Sequence, residues 1–188
     1  MRIIAGQYRS RPLLSLPGLD LRPTADKLRE TLFNVLTAGN PGALSGTIWL
    51  DLYAGTGAVG IEALSRGATM VHFVESSSKA ADLIHRNLKE LGVILGANVL
   101  GQDVGRALKS LEASGIVANC VFLDPPYRLE AEYPKTLEVL AASTLVTAKT
   151  ITVAEHDKRF DPGETFGTLR RYRKLVQGDA ALSFYRRD

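Results

Sequence analysis

The spacing of apolar and polar positions changes character along this chain. In its first part Leu28, Leu32, Val35 and Leu36 recur at helical intervals, which predicts an amphipathic helix whose apolar stripe packs on the rest of the molecule. Pro23-Thr24 opens that helix, with Thr24 as its cap, and Gly39-Asn40-Pro41-Gly42 ends it. Residues 1 to 16 read as a β-hairpin ahead of it. From Thr47 onward, short apolar runs alternate with helical stretches such as 77 to 91 and 132 to 142, the order that a parallel α/β sheet requires. Two last strands, near 168 to 176 and 181 to 186, flank a Gln177-Gly178-Asp179 turn and form an antiparallel hairpin at the sheet edge. No repeat, low-complexity tract or linker interrupts the pattern. The economical division is an N-terminal hairpin-and-helix extension over 1–40, packed on a main body over 41–188.

Composition narrows the class. With 188 residues and 45% hydrophobic content, the chain fits one domain with a full core. Its one cysteine, Cys120, has no internal disulfide partner and sits in an apolar run, as a small buried hydrophobe would. The N-terminus meets Arg2 and turns polar by residue 6, unlike a signal peptide, and the uncharged runs fall short of a membrane span of ~20 residues, so a cytoplasmic protein with no membrane partner is expected. His72, His85 and His156 are far apart and lack companions at metal-ligand spacing, so no metal site is expected. A phosphate loop and a nucleophile elbow are both missing.

Net charge is only +3, but it is unevenly divided. Residues 1–29 carry six basic groups (Arg2, Arg9, Arg11, Arg22, Lys27, Arg29) against two acids, residues 170–188 likewise carry six against two, and the segment between them is acidic. Basic ends around an acidic body mark where a polyanion such as RNA would dock. The six N-terminal groups are the candidate RNA contacts.

The densest chemistry lies at Asp124-Pro125-Pro126-Tyr127, which follows the apolar run Val117-Ala118-Asn119-Cys120-Val121-Phe122-Leu123 and so falls at the C-terminal end of a buried strand. Two successive prolines fix their own φ and hold Asp124 extended. A carboxylate, rigid carbonyls and an aromatic face then converge on one spot. That set suits a planar base with an exocyclic amine: the acceptors take its N–H bonds, its lone pair turns out of conjugation, and Tyr127 stacks on the ring. Taken alone, the four residues also fit a rigid turn with a capping Asp and a packed Tyr.

Upstream, Ile48-Trp49-Leu50-Asp51-Leu52-Tyr53-Ala54-Gly55-Thr56-Gly57-Ala58-Val59-Gly60 reads as a strand, a glycine turn and a helix start. Residues 55 to 60 match G-x-G-x-x-G, which alone would serve a nicotinamide dinucleotide equally well. Asp51 argues otherwise, because a carboxylate four residues before Gly55 attracts the cationic end of S-adenosylmethionine and repels a pyrophosphate. Glu75 closes the run Met70-Val71-His72-Phe73-Val74, 24 residues after Asp51, at the interval of a ribose-binding acid. Asp103 follows Ala97-Asn98-Val99-Leu100-Gly101-Gln102 and is placed to accept from an adenine amine. Three acids at three successive strand ends make a cofactor site the better reading.

These motifs resemble those of the RsmD-like class I methyltransferases, which methylate the N2 amine of a guanine in 16S ribosomal RNA of the small subunit. The resemblance spans nearly the whole chain. It rests on Asp51-Leu52-Tyr53-Ala54-Gly55-Thr56-Gly57 and Asp124-Pro125-Pro126-Tyr127, on Met1-Arg2-Ile3-Ile4-Ala5-Gly6, on Ala180-Ala181-Leu182-Ser183-Phe184-Tyr185, and most specifically on Arg22-Pro23-Thr24-Ala25-Asp26-Lys27-Leu28-Arg29-Glu30-Thr31-Leu32-Phe33-Asn34. Tyr53 stands where the family often has Phe. The resemblance implies a Rossmann-like, seven-stranded, mostly parallel sheet with S-adenosylmethionine as cofactor, held by Asp51, Tyr53, Gly55, Thr56, Gly57, Glu75 and Asp103. Asp124, Pro125, Pro126 and Tyr127 would be the catalytic set.

In-line methyl transfer to a flipped-out guanine follows, with Asp124 and the Pro125 carbonyl accepting from the amine. The partner is 16S ribosomal RNA within a small-subunit particle, and a monomer is expected. Three other readings remain. A DNA adenine-N6 methyltransferase would share Asp-Pro-Pro-Tyr, although 188 residues leave little room for a target-recognition region. A nicotinamide-binding oxidoreductase explains the glycines alone, and an inactive RNA-binding module explains the basic ends alone.

Overall fold

The computed structural model describes residues 1–15 and 23–188, with backbone only for 23–25. Thr24's capping side chain and Arg22 therefore lie outside the described residues. Helix α1 spans Pro23–Leu36. Its apolar stripe packs as the spacing requires: Leu28, Leu32 and Phe33 are buried, and Phe33 stacks on Trp49 with ring centroids 5.4 Å apart.

The body alternates strands and helices: β1 Ile48–Leu52, α2 Ala58–Ser65, β2 Met70–Val74, α3 Ser78–Leu91, β3 Ala97–Leu100, α4 Val104–Ala113, β4 Cys120–Leu123, α5 Glu132–Ala142 and β5 Ile151–Asp157. Strands β6 Thr165–Phe166, β7 Leu169–Gln177 and β8 Ala180–Arg187 complete one sheet of order β3-β2-β1-β4-β5-β8-β7-β6. The first five strands pair in parallel and the last three antiparallel. The sheet thus has eight strands instead of seven. The addition is the two-residue β6, too short to show in an apolar pattern. The chain runs outward from β1 to β3 and returns to place β4 on the other side of β1, so the order reverses between β1 and β4. A ligand crevice opens at the strand C-termini at such a point.

Alternation along each strand divides the core between two faces. Trp49, Phe73, Phe122, Val153, Leu182 and Phe184 share one cluster with residues of α1, α2 and α3. Leu50, Leu52, Val121, Leu123, Ala154 and Tyr185 face α4 and α5.

The expected hairpin over 1–16 is much reduced. One antiparallel bridge joins Arg2 to Pro12, supported by Ile3 N–H to Arg11 O (3.0 Å), Ser10 N–H to Ile3 O (2.9 Å) and Leu13 N–H to Met1 O (3.1 Å). Four further backbone N–H groups of the segment go to α2. Glu62 accepts from Ile4 N–H (2.8 Å) and Ala5 N–H (3.0 Å), and Ser65 accepts from Gln7 N–H and Tyr8 N–H. Gly6 makes this approach feasible: at φ 83° a Cβ would lie 1.8 Å from Ser65 O.

Candidate active site

The backbone leaving β1 is bent by two glycines and one strained residue. Tyr53 sits at φ 60°, a left-handed conformation that costs a non-glycine residue energy and that clusters at functional sites. Its hydroxyl donates to Glu132 (3.0 Å) and accepts from the Thr136 hydroxyl (2.9 Å), which pins the side chain; burial, with Glu132 adding and Thr136 opposing, pushes it up to about 12. Gly55 follows at φ 55°, and its N–H donates to Glu75 (2.9 Å). Glu75 also accepts from Ser77 N–H (2.8 Å), so the acid that ends β2 ties the glycine turn to the start of α3. Gly60 is required for packing: a Cβ would lie 2.3 Å from Phe73 and 2.8 Å from the Asp51 carboxylate, which accepts from Gly60 N–H at 2.8 Å.

Two cavities open along this edge. A cleft of about 1120 Å³ is lined by Tyr53, Gly55, Glu75, Asp103, Asp124, Pro125, Pro126 and Tyr127, with Gln102 and Lys135. A smaller cavity of about 250 Å³ is lined by Asp51, Tyr53, Gly55, Thr56, Asp124 and Glu155, with Met1 and Arg29. They meet at Tyr53, Gly55 and Asp124. The structure therefore brings the predicted catalytic and cofactor residues together, with one exception. Gly57 packs its backbone on Ile84, 3.2 Å from where a Cβ would be, and lines neither cavity. Its positive φ of 75° serves the turn into α2.

Other predicted residues are partly committed already. Asp103 caps α4 by accepting from Arg106 N–H (3.0 Å) and pairs with the Arg106 guanidinium at 3.2 Å. The Pro125 carbonyl, expected to accept from a substrate amine, already accepts from the buried Tyr133 hydroxyl at 3.2 Å. The same hydroxyl donates to the Glu155 carbonyl at 2.8 Å, so Tyr133 ties the ends of β4 and β5 together. One lone pair of the Pro125 carbonyl remains for a ligand.

The electrostatics are those of acids crowded out of water. Burial pushes Asp51 up to about 8, with Asp124 and Glu75 adding to the shift and Gly60 N–H opposing it. Asp124 is pushed up to about 7 by burial, and Glu155 well above the usual carboxylate range by burial and the charge of Asp124. A cation is what such a set favours.

The N-terminal basic residues separate into two kinds. Arg2, Arg9 and Lys27 are exposed and border one cavity of about 390 Å³ between the N-terminal segment and α1, with Asp26 and Glu30. Arg11 is exposed and donates to Glu90 O at 2.7 Å. Arg29 corrects the sequence reading: it is 5% exposed and its guanidinium donates to Arg2 O (2.6 Å) and Asp26 (3.1 Å), so it is not a surface contact for RNA. Sequence reasoning also missed Glu155, although Ile151-Thr152-Val153-Ala154 before it carries the same signal that singled out the other strand-end acids. For Asn87, which joins Leu14 and Thr56 O through its amide, the sequence held no signal.

Residues 1–186 match the family described as "Conserved hypothetical protein 95". YlbH of Bacillus subtilis is 35% identical over all of this chain and 99% of its own length. Ribosomal RNA small subunit methyltransferase D of Escherichia coli is 32% identical, over all of this chain and 90% of its own. Among solved structures, yhhF from Escherichia coli superposes with a TM-score of 0.80 at 31% identity, covering 100% of this chain and 98% of that one. The fold is the class I S-adenosylmethionine-dependent methyltransferase fold, shared at 13% identity and a TM-score of 0.68 with a solved structure that holds SAH.

Proposed function

Since the chain belongs to the RsmD family of ribosomal RNA methyltransferases, we propose that it methylates the exocyclic N2 amine of a guanine in 16S ribosomal RNA, using S-adenosylmethionine. The observation that carries this reading is the meeting of the two cavities at Asp124, where the cofactor cleft touches the one motif built for an exocyclic amine. The residues present suit the cofactor. Asp51 offers a carboxylate to a cation, Glu75 and Asp103 lie along the larger cleft, and Arg29, paired with Asp26 and Glu62, lines the small cavity as a positive charge.

Bound there, S-adenosylmethionine supplies an electrophilic methyl group on a sulfonium. The chain supplies geometry. Asp124 accepts from the amine and turns its lone pair out of the ring, the free lone pair of the Pro125 carbonyl takes the second N–H, and Tyr127 stacks on the base. Alignment of two bound reactants is worth up to ~7–11 kcal/mol in favourable cases. As the N–CH3 bond forms, the amine becomes a strong acid, and Asp124, pushed up to about 7, is placed to take its proton. The exposed Arg2, Arg9, Arg11 and Lys27 would meet RNA phosphates. A loop guanine is the sensible target, because extruding a base costs a few kcal/mol and less in a loop than in a helix.

Nucleoside analysis tests the reading: ribosomal RNA from cells lacking the chain should lose one N2-methylguanosine from its small-subunit RNA, and re-expression should restore it. N6-methyladenosine as the restored nucleoside would overturn it. The cofactor half has its own measurement. Glu75→Ala removes charge-assisted hydrogen bonds of about 1.5–3 kcal/mol and frees the Gly55 turn, so calorimetry should find S-adenosylmethionine bound roughly ten- to a hundredfold more weakly by a folded variant. Unchanged affinity would take Glu75 out of the site.

A further inference from the structure

Asp124 reads an amine, and adenine and guanine both carry one, so the Asp-Pro-Pro-Tyr motif does not choose between them. The choice has to come from a group that faces the ring atoms beside the amine. The sheet places such a group next to Asp124. Strands β4 and β5 pair in parallel with Leu123 opposite Ala154, so Asp124 and Glu155 are the next residues in register. Both lie two positions beyond Phe122 and Val153, whose side chains belong to one core cluster, so both carboxylates project from that same face. Both line the smaller cavity. Among the described residues, neither carboxylate receives a hydrogen bond.

Three acids thus stand side by side on neighbouring strands: Asp51 on β1, Asp124 beyond β4 and Glu155 on β5. With the cofactor's cation toward Asp51 and the reacting amine at Asp124, the rest of the base extends toward β5 and Glu155. Neighbouring strands are about 4.8 Å apart, close enough for two carboxylates to converge on adjacent donors of one ring edge.

Resting on the reading of the substrate as guanine, we propose that Glu155 is the specificity-determining residue of this site, accepting a hydrogen bond from guanine N1–H while Asp124 accepts from the N2 amine. Guanine presents N1–H directly beside its amine, whereas the ring nitrogen at the equivalent place in adenine is an acceptor. A carboxylate rewards the first and repels the second. Burial and the charge of Asp124 raise Glu155 and the charge of Arg29 opposes them; a donor such as N1–H at the carboxyl draws it toward the ionised form that accepts.

The probe is small-subunit RNA carrying 2-aminopurine in place of the target guanine, which keeps the amine and replaces N1–H by an acceptor nitrogen. The full-length wild type should methylate guanine about a hundredfold or more faster than 2-aminopurine, as a site built around a hydrogen bond does. In Glu155→Gln, whose amide can donate to the acceptor nitrogen, guanine methylation should fall and the ratio should drop to about tenfold or less. Calorimetric affinity for S-adenosylmethionine should fall by less than about tenfold, because Asp51 and Glu75 keep their charges while one acid of the set that favours a cation is lost. If wild type yields N2-methylguanosine and Glu155→Gln keeps the wild-type ratio, the assignment of Glu155 is wrong and the guanine reading stands. A wild-type digest with no N2-methylguanosine overturns the guanine reading and this inference with it.

Discussion

Asp124→Ala should lower the rate of methyl transfer a hundredfold or more while S-adenosylmethionine binds within a few-fold of wild type. The carboxylate is an acceptor fixed in place before the reaction, at the end of β4 and followed by two prolines, and losing one preorganised polar partner typically raises a transition state by about 2.7–4 kcal/mol. The loss should fall on kcat, because the contact matters most as charge develops on the amine. Tyr127→Ala should cost less, about 1–3 kcal/mol of base stacking. The pH profile supplies an independent check. Burial holds Asp124 up to about 7 in the free protein, and the form that accepts a proton is the ionised one. The kcat/KM profile should therefore rise with pH through about 7 and then level off, and that inflection should be missing in Asp124→Ala. Full activity in Asp124→Ala, measured by radiolabelled methyl transfer, would sink the assignment.

The catalytic edge was legible because it is built from local chemistry. Asp51, Glu75, Asp103 and Asp124 each follow an apolar run, and strand ends are where an open α/β sheet gathers its ligands. The same rule reached Glu155 and was not carried one strand further. Helices α3 and α5 appeared within a residue of their ends; Ser77 caps the first, whose apolar spacing is strong.

What stayed hidden depends on partners distant in sequence. Composition counts Arg29 with Arg2 and Arg9 as surface charge. Only the packing of α1 against the N-terminal segment turns it inward, to the backbone oxygen of Arg2 and into the small cavity. The hairpin over 1–16 is reduced to one bridge for a similar reason. A period-two pattern states which residues can pair, but not that Glu62 and Ser65 of α2 compete for the same backbone groups. Glu62 itself, in Gly60-Ile61-Glu62-Ala63-Leu64, reads as the one charged position of an apolar helix, which would normally face solvent.

Glu62→Ala should be the most destabilising of the substitutions considered, by about 3–5 kcal/mol, the usual cost of removing one member of a buried charge network. Glu62 is fully buried and accepts from Ile4 N–H, Ala5 N–H and the Arg66 guanidinium at 2.8, 3.0 and 2.7 Å, and Arg29 Nε lies 3.8 Å away. Without it two backbone N–H groups lose their partners, and among the described residues the buried Arg29 keeps Asp26 as its ion-pair partner. The midpoint of urea unfolding should fall with its slope unchanged, since the folded state still buries the same surface. Glu62→Gln should fall between the two, because the amide retains an acceptor for one N–H but puts a donor against the guanidinium groups. The loss should also reach the active site. The segment that Glu62 holds carries Met1 and Ser15, which line the small cavity beside Asp51 and Asp124. At low urea, where Glu62→Ala is still folded, S-adenosylmethionine should bind more weakly than to wild type. A midpoint shift worth under about 1 kcal/mol would mean that water or a shifted backbone replaces these bonds, and that the N-terminal segment is held by its apolar contacts alone.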